Sequence, residues 1–352
     1  MKIKDICLLG NKDMNKPSNL FTMEQIAKLV GVSRTTVWRV VNNKGNVSPK
    51  TMKIVSSFLE NYSYSKNSIA SNLKRRYTNV IGVVFSDIEN PFYAKALEGI
   101  EVVCRKNNYN IILCNSHENY LEEKKALDLL IEQRVSGIII IPVEKSDLNI
   151  STIKSINIPI IFLGRFIKSY GGSRVVFDDY HAGYIATYHL VKKGHTKIAH
   201  IAGSPGTSCT EGRLEGYRRA LEKNNIPFDP SLVLYTNSML EEGKKATFNL
   251  LNKRKDVTAI FAYSDFVAFG VIEAIQEINL KIPQEISIVG CDNTRLSKIV
   301  GLTTISFEKI NMGKVAANIL LDQIEYLRKN GKYKSEHKVR ISKPLLVQRN
   351  TT

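Results

Sequence analysis

From residue 79 onward, short apolar runs alternate with longer stretches in which apolar residues return every third or fourth position. The runs lie at 80–85, 110–114, 137–141, 159–163, 174–177, 197–202, 257–263 and 286–290. Apolar residues at consecutive positions predict strands buried on both faces, as in a parallel sheet. The stretches at 94–107, 121–133, 180–193, 211–224 and 266–278 predict the helices that cover it. So many strands exceed one sheet of usual width, and the pattern therefore predicts an α/β core of two doubly wound lobes with a cleft between them.

Ahead of this core the pattern is purely helical. One amphipathic stretch starts at Thr22, whose side chain can cap it, and turns at Gly31, where a tight inter-helix turn needs positive φ. A second starts behind Ser33 as cap and places Val37, Val40 and Val41 on one face. Thr35, Arg39 and Asn42 fall opposite, with Trp38 at the flank and Arg34 in the first turn, so these five are expected to look outward. A third helix is announced by Ser48 as cap and Pro49 at the first position, followed by an apolar stripe at Val55, Phe58, Leu59 and Tyr62. This is a helix-turn-helix pattern closed by a third helix.

Any amphipathic three-helix unit shares that periodicity, and charge is what separates the readings. Residues 1–78 hold 14 Lys/Arg against four acids, so +10 of the net +17 sits in the first fifth of the chain. Such asymmetry points to a polyanion at one end. No run approaches the roughly 18 apolar residues of a membrane span. The piece at 6–9 is too short for a signal peptide, so a cytoplasmic protein is expected. Five cysteines without a C-x-x-C pair read as reduced thiols, and six histidines without ligand spacing predict no metal site. No cofactor is expected.

Residues 1–20 fit no period and are read as a flexible extension; they either add phosphate contacts or reflect translation from upstream of a start at Met14. The segment 65–78 could form two helical turns, too few to hold alone, and would order only against DNA and a partner copy.

Ligands of doubly wound sheets sit beyond the carboxyl ends of the strands. Those ends carry Asn90, Phe92 and Tyr93 after the first run, Arg165 after the fourth, Arg213 downstream of the sixth, Ser264 after the seventh and Asp292 after the last. Aromatics stack on a small ring, while Arg and Asp fix its hydroxyls or charges. Pro91 could equally only start a helix, and Arg213 could only make an ion pair; their convergence on one rim favours a pocket.

The sequence resembles the lactose-repressor (LacI/GalR) family of bacterial transcription regulators from about residue 21 to its end. The phrases that carry the resemblance lie at 32–42, 46–51, 81–93, 189–203, 286–293 and 302–305. The resemblance implies a homodimer reading a near-palindromic operator in double-stranded DNA, hinge helices in the minor groove, and a periplasmic-binding-protein-like core that senses a small molecule, in many relatives a sugar. It places Arg34, Thr35 and a base-reading Arg39 on the recognition helix, Ser33, Thr36 and Asn42 toward phosphates, and Thr22, Asn46, Ser48 and Lys74 also at the DNA. Ala70 and Leu73 match the minor-groove helix, with Ser71 where an Arg is usual. Trp38 stands where most relatives have a small Ser; it lies along the sugar-phosphate backbone or covers the third helix. Gly164 and Ser264 replace a frequent Asp and Asn, so ligand recognition is expected to depart from the common hexose or ribose pattern.

The expected domains are a flexible extension (1–20), a head (21–64), a hinge (65–78) and a core (79–352), with lobe one at 79–177 plus 308–338 and lobe two at 178–307 plus 339–352. The expected function is a sequence-specific DNA-binding repressor controlled by a small-molecule effector, expected to be a sugar, in the inter-lobe cleft. A solute-binding protein of a transport system is the alternative, since the core alone would suit it. An enzyme is not expected, because the polar residues show no nucleophile-base pairing, Walker motif or metal spacing.

Overall fold

The computed structural model describes residues 21–42, 44–61, 78–143, 150–167, 169–332 and 338–352. The chain divides into two units, Met1–Tyr77 and Thr78–Thr352.

In the first unit, α1 (Met23–Val30) opens on a reciprocal cap: Thr22 Oγ1 accepts from the Gln25 amide at 3.2 Å, and Gln25 Oε1 accepts from the Thr22 amide at 2.8 Å. It ends at Gly31 with φ 71°, as the sequence requires. Ser33 caps α2 (Arg34–Val41), and α3 (Pro49–Asn61) starts on proline with Ser48 Oγ accepting from the Thr51 amide. Ile26, Ala27, Val37, Val40, Val55 and Phe58 form the core of this head, with Phe21 edge-on to Phe58. Val41 and Leu59 are half-buried around it, and Tyr62 lies outside the described residues.

The second unit holds two six-stranded sheets with the same strand order. The first contains β1 (Val80–Phe85), β2 (Asn110–Asn115), β3 (Gly137–Ile140), β4 (Ile160–Gly164), β5 (Arg174–Phe177) and β11 (Val339–Ser342), arranged 2-1-3-4-5-11 and parallel throughout. The second contains β6 (Ile198–Ala202), β7 (Val233–Tyr235), β8 (Ala259–Ala262), β9 (Ser287–Asp292), β10 (Thr303–Ser306) and β12 (Leu345–Val347), arranged 7-6-8-9-10-12 with only β12 antiparallel. Each order reverses beside its first strand, at β1/β3 and β6/β8, the switch points where such sheets bind ligands.

The helices are α4 (Pro91–Lys106), α5 (Tyr120–Glu132), α6 (Ile150–Ser155), α7 (Asp179–Lys192), α8 (Ser208–Lys223), α9 (Leu240–Lys253), α10 (Asp265–Glu277), α11 (Arg295–Ile299) and α12 (Lys309–Asn330). Two of them, α7 and α12, carry the chain from one lobe to the other. Each packs backbone to backbone on the first helix of the lobe it enters, through facing glycines. A Cβ on Gly216 would stand 2.0 Å from the Tyr180 carbonyl, and one on Gly313 2.1 Å from that of Ala96. The crossing helices α7 and α12 thus sit directly on α8 and α4, whose first turns reach the cleft.

Three expectations change. Strand β11, 339–342, joins the sheet of lobe one, so the third crossing falls at 343–344 rather than at 338/339. Strand β2 lies at a sheet edge, with Leu113 42% exposed, instead of being buried on both faces. Helices α4 and α8 start three residues earlier than their apolar periods suggested, because Asn90 and Thr207 cap them upstream. Strands β7, β10, β11 and β12 were not among the eight expected runs; each has only three or four residues.

Candidate functional site

Two sets of side chains stand out, one in each unit. On the head, Arg34, Thr35, Trp38 and Arg39 are exposed on α2 above the buried Val37 and Val40. Neither Arg34 nor Arg39 has an acidic partner among the described residues; Glu24 instead pairs loosely with Lys28 at 3.8 Å. Thr22, Ser33 and Ser48 are exposed but engaged as caps, and the hydroxyls of Ser33 and half-buried Thr36 lie 2.9 Å apart. Asn46 is exposed with φ 72°, the left-handed conformation that asparagine tolerates. Asn42 is a correction: it is half-buried as the C-cap of α2, and its amide donates to the Trp38 carbonyl at 2.9 Å. The same carbonyl accepts from the Asn42 backbone amide at 3.1 Å, so Asn42 closes the last turn with backbone and side chain together. Ala70, Leu73 and Lys74 lie outside the described residues.

In the core, all seven residues picked from the strand ends line one cavity of about 40 Å³ between the lobes. Lobe one supplies Asn90, Phe92, Tyr93 and Arg165; lobe two supplies Arg213, Ser264 and Asp292. Proximity leaves several of them occupied with each other and with the frame. Asn90 Oδ1 accepts from the Phe92 amide at 2.9 Å and Ser264 Oγ from the Val267 amide at 3.1 Å, so both hold helix N-termini at the rim. Phe92 stands edge-on to Tyr93 and Phe177, with centroids 5.3 and 5.4 Å away, and the Tyr93 hydroxyl lies 2.8 Å from Ser86 Oγ.

Both cations are neutralised internally. Arg165 Nη1 donates to Glu118 Oε2 at 2.7 Å, and Arg213 Nε to Asp179 Oδ1 at 2.9 Å, with both guanidinium side chains only 6% exposed. Arg213 also donates to the Tyr263 carbonyl, and its guanidinium carbon lies 4.6 Å from the Tyr263 ring centroid. Acceptors, by contrast, are left over. The Asp292 carboxylate receives no hydrogen bond among the described residues, and burial pushes its pKa up to about 7 against the pull of Arg213. Burial also raises Asp87, and it lifts Asp179 to about 6 despite Arg213.

Sequence reasoning missed Glu118, Asp179, Tyr263 and Ser238. Ser238 lines the cavity with φ 69°, and its hydroxyl is buried without a partner among the described residues. The lobes touch across the mouth, where the Phe166 amide of lobe one donates to Ser208 Oγ of lobe two at 3.1 Å. About 40 Å³ holds a few waters. A ring-sized ligand therefore requires the lobes to part.

Residues 22–67 match the family described as "Bacterial regulatory proteins, lacI family", and residues 78–348 match "Periplasmic binding proteins and sugar binding domain of LacI family". The HTH-type transcriptional repressor PurR of Photorhabdus laumondii is 33% identical over 339 residues, covering 94% of this chain and 96% of its own. A lac repressor dimer bound to operator and the anti-inducer ONPF superposes with a TM-score of 0.81 at 26% identity, over 95% of this chain and 99% of that one. A LacI-family regulator from Enterococcus faecium with bound ribose matches with a TM-score of 0.67 at 30% identity, over 78% and 98%. Among the described residues no helix is long and apolar enough to cross a membrane. The chain belongs to the LacI family of bacterial regulatory proteins and is, as such, a DNA-binding transcriptional regulator.

Proposed function

We propose that the protein is a cytoplasmic, homodimeric repressor whose hold on a near-palindromic DNA site is set by a small, uncharged, hydroxyl-rich effector in the cleft. The lac repressor dimer on its operator and the ribose-bound regulator are the relatives that suggest the assembly and the ligand class. The observation that carries the ligand chemistry is the balance of hydrogen-bonding groups. Both cleft arginines already face carboxylates, whereas Asp292 and the Ser238 hydroxyl have acceptors to spare. An anionic effector would bring a further negative charge beside Glu118, Asp179 and Asp292, where both cations are already offset by a carboxylate. Ring hydroxyls donate to Asp292 and Ser238 without breaking either pair, and Phe92 and Phe177 offer apolar faces.

On the head, Arg34, Thr35 and Arg39 are the residues proposed to read bases, with Ser33 and Thr36 near the phosphates. The Ser33 and Thr36 hydroxyls bond each other, so whichever of the two accepts keeps its O–H for a phosphate oxygen, while Asn42 fixes the end of the helix. An Arg that bonds the O6/N7 edge of guanine contributes about 1–3 kcal/mol of discrimination.

The test is selection of duplexes by the full chain from a randomised pool. A near-palindromic consensus should emerge whose binding weakens steeply with salt. Arg39→Ala should lose roughly 5- to 150-fold of its preference for that consensus over a scrambled duplex. Recovery of no consensus, or an unchanged preference in Arg39→Ala, would remove α2 as the reading helix.

A further inference from the structure

The chain has one tryptophan, and it stands on the helix assigned above to DNA. Trp38 is 44% exposed. Among the described residues its ring has no aromatic or cationic neighbour, and its indole N–H has no acceptor; the Asn42 side chain bonds its backbone carbonyl, not the ring. An indole is a large apolar surface with a single donor, and keeping that surface in water is unfavourable. The ring is not part of the head's core, in which Val55 and Phe58 of α3 are buried, and nearly half of its surface stays open.

Position on the helix decides what the ring can reach. At about 100° per residue, Arg39 points about 200° from the buried Val37, straight out, while Trp38 points about 100° from it, to the side. When such a helix lies in a major groove, the outward residues meet base edges and the lateral ones meet the groove wall. The neighbourhood is basic: in the described head, Lys28, Arg34, Arg39, Lys44, Lys50 and Lys53 face only Glu24 and Glu60.

We infer that Trp38 packs its ring against the deoxyribose-phosphate wall of the groove, with its N–H donated to a phosphate oxygen, and so contributes affinity rather than sequence preference. This rests on the assignment of α2 to DNA. Because every nucleotide presents the same sugar and phosphate, the contact strengthens binding to selected and scrambled duplexes alike. Arg39 has the opposite signature, changing the ratio between them.

The experiment uses the full chain, the duplex it selects and a scrambled duplex of equal length. Emission from Trp38 should change on saturation with either duplex, and this measurement needs no substitution. Trp38→Ala should weaken both complexes by roughly tenfold with their ratio kept, the scale of losing contact over some tens of Å² of apolar surface. Trp38→Phe should recover part of that loss. Emission indifferent to DNA, or Trp38→Ala binding as tightly as the parent, overturns the inference. So does a collapse of the selected-to-scrambled ratio in Trp38→Ala, which would put the ring on base edges. If Arg39→Ala leaves the ratio intact as well, the assignment of α2 is at fault; if only the Trp38 results fail, this inference alone falls.

Discussion

The head and the cleft both rest on arginines, but they keep them in opposite states. Arg34 and Arg39 are exposed and, among the described residues, without ion-pair partners, ready for a polyanion whose charge is always there. Arg165 and Arg213 are buried and already paired with Glu118 and Asp179 in a cleft too small for a ring. A free, solvated cation binds on encounter and is screened by salt. A buried, paired cation holds a shape, and a ligand must reopen that shape to enter. The head is therefore a constant and the cleft a variable, the division of labour a ligand-controlled repressor requires.

The sharpest way to break this contrast is to remove one arginine from each side. Arg213→Ala leaves Asp179 buried without its partner, and should cost the core about 3–5 kcal/mol in urea unfolding. Arg39→Ala, an exposed change, should alter unfolding by no more than about 0.5 kcal/mol. Equal costs would mean that the cleft pair holds no more structure than a surface residue does.

A smaller effect concerns Asp292, whose pKa is raised from the ordinary carboxyl value of 3.8 to about 7 by burial. The folded state then holds a proton that the unfolded chain releases, so this group's contribution is fully present below about pH 4 and is lost as pH rises through about 7. His200 works in the other direction, since burial lowers its pKa to about 4 and its contribution is lost on acidification. The clean readout is a difference: the thermal midpoint of Asp292→Asn minus that of the parent should grow between pH 4 and pH 7 and level off above. A flat difference would mean that the carboxylate is solvated after all.

Much of this was legible before any coordinates, for identifiable reasons. Caps and turns at Thr22, Gly31, Ser33 and Pro49 are local chemistry, and the head formed where they placed it. Asn90, Phe92, Tyr93, Arg165, Arg213, Ser264 and Asp292 follow long apolar runs, and parallel strands bring their carboxyl ends to one rim, so their convergence could be anticipated. What escaped lacked such a marker. Glu118 sits on a turn where it and His117 both take positive φ, at 51° and 49°, a conformation that nothing in their residue types requires. Ser238 follows a three-residue edge strand too short to show a pattern. Asp179 was hidden in the start of a helix, although the adjacent acids after the fifth run could have flagged it. The misplaced border at 338/339 came from the same cause as the missed short strands, since β11 and β12 are separated by only two residues.

The most direct measurement of the whole account is DNA affinity with and without an effector found by a thermal-shift screen of neutral sugars, sugar phosphates and nucleobases on the full chain. A neutral sugar that raises the melting point of the parent and not of Arg213→Ala should change affinity for the selected duplex by roughly 5- to 150-fold. By linkage, the duplex should change affinity for that sugar by the same factor. Binding of the sugar with no effect on DNA affinity, or hits confined to sugar phosphates, would contradict it.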